Sequence, residues 1–233
     1  MKRIVGKGCR NIFAENEVTG KAVDDDMDNK VRIKICGLKR QEDIVAVNEA
    51  KPDFCGFVIE VSKSSRCVTR EQVRELVQGL HKDIIPVGVF VNAPVELPAI
   101  LLEEGTISIA QLHGSEDEEY IRKLREITDK PLIKAFSIRN AQDVERACQS
   151  PADYILLDQG RGGTGKTFDW TLIPEISRPF FLAGGLGTEN LEQAIRQVHP
   201  WAVDMSSSLE TGGYKDPEKM RKAVEIVRNT GMQ

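Results

Sequence analysis

The chain has 233 residues, of which 40% are hydrophobic and 29% charged, and its 32 basic and 36 acidic residues give a net charge of −4. This composition is typical of a globular protein, and it excludes disorder throughout the chain and the basic surface of a nucleic-acid binder. No apolar run approaches the roughly 18 residues of a membrane span, and the five cysteines form no Cys-x-x-Cys pair. We therefore expect a cytoplasmic protein with free thiols, no metal, and no membrane or nucleic-acid partner.

Residues 1–30 differ from the rest of the chain. Scattered glycines and the acidic run at 24–28 interrupt any apolar period before Val31. We interpret residues 1–30 as a poorly ordered N-terminal arm and residues 31–233 as the folded domain.

From Val31 onward, strand-like runs alternate with helical patterns. The predicted strands are 31–36, 54–59, 85–91, 107–112, 132–136, 154–158, 180–183 and 202–206. The predicted helices are 40–50, 70–80, 95–104, 116–128, 141–149, 170–176, 189–198 and 217–228. Eight such repeats predict parallel strands joined by right-handed crossovers, and thus a single (β/α)₈ TIM barrel. An open doubly wound sheet is the alternative.

The first strand of such a barrel ends at Cys36. Alternation along the strand places Lys34 and Cys36 on the inward face, where active sites form at the carboxyl ends of the strands. A nearby ammonium favours the thiolate over the thiol, so Cys36 is a candidate base. The alternative is a buried cysteine that acts only as a small hydrophobe.

Three more polar residues follow strand ends. Asp158 ends the sixth strand and is either a helix cap or a positioned acid. Arg66 lies in the loop after the second strand, where it is either solvated or captures an anion. His113 follows the fourth strand and is a second candidate base.

Small residues follow the last two strands, where TIM barrels commonly bind phosphate through backbone N–H groups. They are Gly184 and Gly185 after the seventh strand and Ser206, Ser207 and Ser208 after the eighth. Two ordinary turns are the alternative, but their occurrence on successive strands favours a phosphate site.

The segment 160–167 matches the nucleotide P-loop pattern G-x-x-x-x-G-K-[ST] and follows a strand. A P-loop must lead directly into a helix, whereas residues 168–170 intervene here and Pro174 limits the helix that follows. A glycine-rich mobile loop beside an active site is therefore favoured, and a P-loop nucleotide-binding protein stays an alternative.

Five segments, in order, resemble the phosphoribosylanthranilate isomerase family. They are Lys-Ile-Cys-Gly at 34–37, Gln-Leu-His-Gly at 111–114, Gly-Gly-Thr-Gly-Lys-Thr-Phe-Asp-Trp at 162–170, Leu-Ala-Gly-Gly-Leu at 182–186, and Glu-Thr-x-Gly-x-Lys-Asp at 210–216. The resemblance runs from about residue 31 to residue 227. It implies a cofactor-free Amadori rearrangement of N-(5-phosphoribosyl)anthranilate to 1-(2-carboxyphenylamino)-1-deoxyribulose 5-phosphate, a step of tryptophan biosynthesis.

The resemblance also implies roles for particular residues. Asp158 would protonate the furanose ring oxygen, Cys36 would remove the C2′ proton, and Arg66 would bind the anthranilate carboxylate. The backbone around Gly184, Gly185, Ser206, Ser207 and Ser208 would hold the phosphate. The family usually has glycine at the position of Ser208, so a positive φ there would strain this chain and weaken phosphate binding.

Three other functions are considered. An isomerase of histidine biosynthesis performs the same rearrangement on a bis-phosphorylated substrate, but such barrels usually use paired aspartates. A P-loop nucleotide-binding protein would bind nucleotide with magnesium, and a non-catalytic scaffold would need neither Cys36 nor Asp158. The oligomeric state is left open.

The N-terminal arm is predicted to be dispensable, because its six basic and six acidic residues cancel and its glycines prevent a continuous apolar face. A chain beginning at Asn29 should retain full activity and the parental melting temperature. Thermal unfolding of the two chains tests this, and a large loss of melting temperature would show that the arm packs on the barrel.

Overall fold

A computed structural model describes residues 30–159 and 169–230. The eight barrel strands in this part are β1 (Arg32–Cys36), β2 (Phe54–Ile59), β3 (Ile85–Phe90), β4 (Ile109–Leu112), β5 (Leu132–Ser137), β6 (Tyr154–Asp158), β7 (Phe180–Leu182) and β8 (Ala202–Met205). Each pairs in parallel with its neighbours along the chain, and β1 pairs with both β2 and β8. The barrel is closed, which confirms the predicted TIM barrel and excludes the open sheet.

Seven α-helices cover the strands within the described residues. They are α1 (Gln41–Ala50), α2 (Arg70–Gln78), α3 (Glu96–Glu103), α4 (Glu118–Arg125), α5 (Ala141–Cys148), α6 (Leu191–Val198) and α7 (Pro217–Thr230). Their apolar faces and the outward side chains of the strands form the main core.

The prediction of a helix at residues 170–176 is wrong. The structure has a single 3₁₀ turn there, Trp170–Leu172, after which Ile173 is extended with φ −86° and ψ 110°. Pro174 explains the difference, because a proline ring disfavours helical backbone in the residue before it.

Three short strands lie outside the repeating pattern. Cys67–Val68 adds to the edge of β2, and Glu210–Thr211 pairs antiparallel with Tyr214–Lys215 in a hairpin after β8. These segments bring the residues after β2 and β8 to the same end of the barrel.

Aromatic side chains fill the opposite, N-terminal end of the barrel. Phe54 and Phe181 meet edge to face with ring centroids 5.6 Å apart, and Tyr154 stacks on Trp201 at 4.9 Å. The guanidinium of Arg32 lies 4.5 Å from the Trp201 ring centroid. Because large rings occupy this end, the open space of the barrel interior lies at the carboxyl ends of the strands.

A buried ion pair joins the first and last strands. The register of β1 and β8 places Lys34 opposite Asp204, and Nζ lies 2.9 Å from Oδ1. Lys34 is fully buried, and Asp204 is almost so. Burial lowers the pKa of Lys34, but Asp204 and Cys36 more than offset this and raise it overall. The inward orientation predicted for Lys34 is confirmed.

Breaking this pair should destabilise the barrel. In Asp204→Asn the Lys34 ammonium loses its ionic partner, and such a loss typically costs about 3–5 kcal/mol of unfolding free energy. Urea unfolding of the parent and the variant measures this loss of unfolding free energy. Glu192→Gln is the control, because it breaks an exposed pair with Arg196 and should leave the unfolding midpoint nearly unchanged. Equal midpoints for the parent and Asp204→Asn would contradict the expectation.

Candidate active site

A cavity of about 470 Å³ opens at the carboxyl ends of the strands. The residues to which the family resemblance gives roles all line it: Cys36, Arg66, Asp158, Gly184, Gly185, Ser206, Ser207 and Ser208. Val58, Val89 and Val91 contribute apolar wall, and Gln111, His113 and Asp204 contribute further polar groups. The barrel thus brings together residues that are as much as 172 positions apart in the chain.

Cys36 is buried at the end of β1, between Gly56 of β2 and Ser206 after β8. Its carbonyl oxygen accepts a 2.9 Å hydrogen bond from the Ser206 hydroxyl. A Cβ added at Gly56 would lie 2.7 Å from Cys36 Sγ and 3.0 Å from Lys34 Nζ. Glycine at position 56 therefore leaves the space in which the thiol and the ammonium sit together.

The acidity of the Cys36 thiol differs from the sequence prediction, in which Lys34 brings the pKa of Cys36 below the ordinary thiol value. Burial raises the pKa of Cys36, and the negative charge of Asp204 raises it further, while Lys34 and Lys215 act in the opposite direction without prevailing. The prediction is wrong because it considered the ammonium without its counterion and without the loss of hydration.

Asp158 ends β6 with its carboxyl group facing the cavity. Its Oδ1 accepts a 2.6 Å hydrogen bond from the backbone N–H of Gln159, and its Oδ2 lies 3.4 Å from His113 Nε2. Gln111 Nε2 is 2.7 Å from His113 Nδ1, so this ring nitrogen accepts when the amide donates. In that tautomer the ring hydrogen is on Nε2, the nitrogen that lies 3.4 Å from Asp158 Oδ2. The row formed by Gln111, His113 and Asp158 was not predicted from the sequence, although Gln111 and His113 share one face of β4 and its extension.

Arg66 lines the cavity but is not free. Its Nε and one Nη contact the two carboxylate oxygens of Glu210 at 2.6 and 2.9 Å. Lys215 Nζ contacts Glu210 at 2.8 Å and donates to the Ser206 carbonyl at 2.9 Å. Burial acts to raise the pKa of Glu210, but the hydrogen bonds from Arg66 and Lys215 outweigh it and lower the pKa overall. Glu210 and Lys215 belong to the family-like segment 210–216, but no role in the site was predicted for either, because their pairing depends on the hairpin after β8.

The small residues after β7 and β8 differ in backbone conformation. Gly184 and Gly185 have φ of +84° and +68°, which other residues rarely adopt. Ser208 lies in the 3₁₀ turn Ser207–Leu209 and has no positive φ. The backbone strain expected for serine in place of the usual glycine is therefore absent.

Two segments for which the sequence analysis made predictions lie outside the described residues. They are residues 1–29 of the arm and residues 160–168, which contain the P-loop-like pattern. The described part of the chain contains no helix that is both long and apolar enough to cross a membrane.

A closed barrel whose cavity presents a thiol and a carboxyl group at the carboxyl ends of its strands defines the chain as a TIM-barrel enzyme. Residues 33–226 match the family model described as N-(5'phosphoribosyl)anthranilate (PRA) isomerase. The chain therefore belongs to the PRA isomerase family.

Curated relatives agree with this assignment. N-(5'-phosphoribosyl)anthranilate isomerase of Endomicrobium trichonymphae is 43% identical over 203 residues, which cover 85% of this chain and 98% of the relative. The protein of the same name from Thermoanaerobacter sp. (strain X514) is 43% identical over 204 residues, with the same coverage.

Solved structures are similar as well. Phosphoribosyl anthranilate isomerase from Thermotoga maritima superposes with a TM-score of 0.76 at 36% identity, covering 85% of this chain and 99% of the other. A second isomerase structure, in complex with reduced 1-(o-carboxyphenylamino)-1-deoxyribulose 5-phosphate, has a TM-score of 0.73 at 34% identity with the same coverage.

Gly184 is predicted to be essential for the position of Asp158. A Cβ added there would lie 2.6 Å from Asp158 Oδ1 and 2.6 Å from the Gln159 nitrogen. Gly184→Ala should therefore displace the carboxyl group and lower kcat by about 10²-fold, the scale of a misplacement near 1 Å.

Gly105→Ala is the matched control for this variant. Gly105 has a similar φ of +78°, but an added Cβ there would meet nothing within 4 Å. It should lose stability through backbone strain and keep the parental kcat. A parental kcat in Gly184→Ala as well would show that Asp158 is not displaced or does not act in the reaction.

Proposed function

We propose that this chain catalyses the conversion of N-(5'-phosphoribosyl)anthranilate to 1-(2-carboxyphenylamino)-1-deoxyribulose 5-phosphate in tryptophan biosynthesis, with Asp158 as acid and Cys36 as base. The observation that carries the proposal is that these two side chains line one cavity in a member of this family. A related isomerase binds the reduced form of that product. Family membership and the curated relatives favour this activity over the histidine-biosynthesis and nucleotide-binding alternatives.

The first step opens the sugar ring. Protonated Asp158 donates its proton to the furanose ring oxygen, the bond from that oxygen to C1′ breaks, and the nitrogen lone pair forms a C1′ iminium. The Gln159 N–H holds the carboxyl group in place for this transfer, and the His113 ring lies beside it. The iminium withdraws electrons from C2′ and acidifies its proton.

The second step forms the product skeleton. The Cys36 thiolate takes the C2′ proton, and the C–H electrons form a C1′–C2′ double bond as the iminium becomes an amine. The resulting enolamine tautomerises to the ketone at C2′, with a proton added at C1′. Both steps move only protons and electron pairs between the substrate and two side chains, so the proposal includes no cofactor and no metal.

Binding groups surround the reacting carbons. We assign the phosphate to the backbone around Gly184, Gly185, Ser206, Ser207 and Ser208, where positive-φ glycines allow close approach. We assign the anthranilate carboxylate to Arg66, whose orientation Glu210 fixes. The valines of the cavity wall suit the aromatic ring. A cytoplasmic location fits this metabolic role and belongs to the same proposal.

Turnover of freshly prepared phosphoribosylanthranilate, followed by the loss of its fluorescence, tests the activity directly. The purified full-length chain should consume this substrate without added cofactor. Absence of turnover by a folded chain would overturn the proposal.

Removing the acid or the base is predicted to abolish most turnover. Cys36→Ala and Asp158→Ala should each lower kcat by about 10²–10⁴-fold while phosphate binding is nearly kept, because each side chain acts in the chemistry rather than in affinity. Single-turnover rates and inorganic phosphate binding separate the two effects. If Cys36→Ala reacted at the parental rate, His113 would be the next candidate base.

The pH profile provides an independent test of Cys36. The thiol must lose its proton to act as base, so kcat/KM should rise with pH. Because burial raises the pKa of Cys36, this rise should be centred above the ordinary thiol value of about 8.5. In Cys36→Asp a carboxyl group, whose ordinary pKa is about 4, replaces the thiol, so measurable activity should remain and the alkaline rise should disappear. An unchanged rise in Cys36→Asp would assign the titration to another group.

Arg66→Ala is predicted to raise KM more than it lowers kcat. The carboxylate lies away from the reacting carbons, so Arg66 binds it about equally in the ground state and the transition state. Arg66→Lys, which keeps the charge but not the planar fork, should fall between the parent and Arg66→Ala. A larger effect on kcat than on KM would place Arg66 at the chemistry.

A further inference from the structure

Cys36 is surrounded by charged side chains from several elements, and the reaction described above uses none of Lys34, Lys215 and Asp204. Lys34 lies two residues earlier on β1, Asp204 lies across the barrel seam on β8, and Lys215 lies in the hairpin. The thiol responds to the charges of all three.

We propose that Asp204 is a positioning residue for the reaction: its carboxylate holds the Lys34 ammonium and opposes that positive charge beside the Cys36 sulfur, so the sulfur binds its proton more tightly than it would beside Lys34 alone. The inference rests on the proposed function in so far as Cys36 is the base. A sulfur that binds its proton more tightly is present less often as thiolate but takes the C2′ proton more readily once ionised.

The geometry places Lys34 between two groups that compete for its charge. Its Nζ is 2.9 Å from Asp204 Oδ1, and the gap left by Gly56 brings the same ammonium against Cys36 Sγ. Because Lys34 is fully buried, its charge is screened less by solvent than that of a surface lysine. The carboxylate of Asp204 and the sulfur of Cys36 therefore share one buried cation.

The other groups that face Cys36 complete the charge balance. Arg66 and Lys215 are positive and share the carboxylate of Glu210. Cys55 on β2 is buried, and burial raises its pKa, so it stays uncharged. Three cations (Lys34, Arg66, Lys215) and two anions (Asp204, Glu210) leave one positive charge, which a Cys36 thiolate neutralises. Removing the Asp204 carboxylate leaves two positive charges beside the thiol.

A purely structural role for the pair makes a different prediction. If Lys34 and Asp204 only tie β1 to β8, substitutions change stability and leave the protonation of Cys36 unaltered. If the Asp204 carboxylate opposes the charge of Lys34 at Cys36, removing the carboxylate and removing the ammonium shift that protonation in opposite directions. The sign of the two shifts therefore separates the roles.

The test measures alkylation of Cys36 by iodoacetamide as a function of pH in the full chain. Peptide mass spectrometry follows Cys36 alone, and Cys36→Ala provides the blank for the remaining cysteines. Asp204→Asn should move the midpoint of the profile to lower pH by about one unit or more, the usual effect of a charge within about 4–6 Å. Lys34→Met should move it to higher pH. An unchanged midpoint in Asp204→Asn, or a shift in the same direction in both variants, overturns the inference.

Glu116→Gln is the matched control. It removes the carboxylate partner of Lys134, a second buried ammonium with a 3.0 Å contact. It should cost stability as Asp204→Asn does and leave the Cys36 midpoint at the parental pH. A shift of similar size in Glu116→Gln would show that general loosening of the barrel changes the profile.

A double variant covers the case in which Asp204→Asn does not fold. Lys34→Met/Asp204→Asn removes both charges, and its midpoint should lie below that of Lys34→Met because the carboxylate that opposes the thiolate is gone. Equal midpoints in these two variants overturn the inference.

Turnover distinguishes this inference from the proposed function. Alkylation needs no substrate, so it reports on Asp204 whatever reaction the chain catalyses. With substrate, the alkaline rise of kcat/KM should move with the alkylation midpoint in every variant. A midpoint that moves without the rise would support Asp204 as the modulator of Cys36 and remove Cys36 as the base.

Discussion

The closure of the barrel between β1 and β8 is the constraint on which the site depends. Closure buries Lys34 completely, and a buried ammonium is costly without a partner, which Asp204 provides at 2.9 Å. The pair lies directly against Cys36, so the contact that joins the two ends of the sheet also sets the electrostatic surroundings of the thiol. Stability of the fold and reactivity of the site are thereby coupled through one cation.

The barrel divides its interior between packing and chemistry. Rings of Phe54, Phe181 and Trp201 fill the N-terminal end, where nothing polar is needed. At the other end, partners fix two of the polar groups: Asp158 accepts a hydrogen bond from the Gln159 N–H, and Arg66 contacts Glu210. Groups held in this way need little rearrangement when charge develops on a substrate, which is the physical advantage of a preorganised site.

Local patterns in the sequence predicted the barrel and many of the residues that line its cavity. Alternation with a period of two placed Lys34 and Cys36 inward, and the eightfold repeat predicted the barrel. Residues such as Asp158 could be selected because a parallel barrel brings all strand ends to one face. The absence of the helix predicted at 170–176 also has a local cause, because Pro174 disfavours helical backbone at Ile173.

What the sequence by itself determined, then, is which residues face the cavity, because that follows from periodicity and strand order. Only the tertiary structure decided how those residues are paired and protonated. Arg66 contacts Glu210, 144 positions away, through a hairpin with no periodic signal. The pKa of Cys36 is raised rather than lowered because burial and the charge of Asp204 outweigh Lys34 and Lys215. Electrostatic energies depend on distances and hydration in three dimensions, and a linear sequence contains neither.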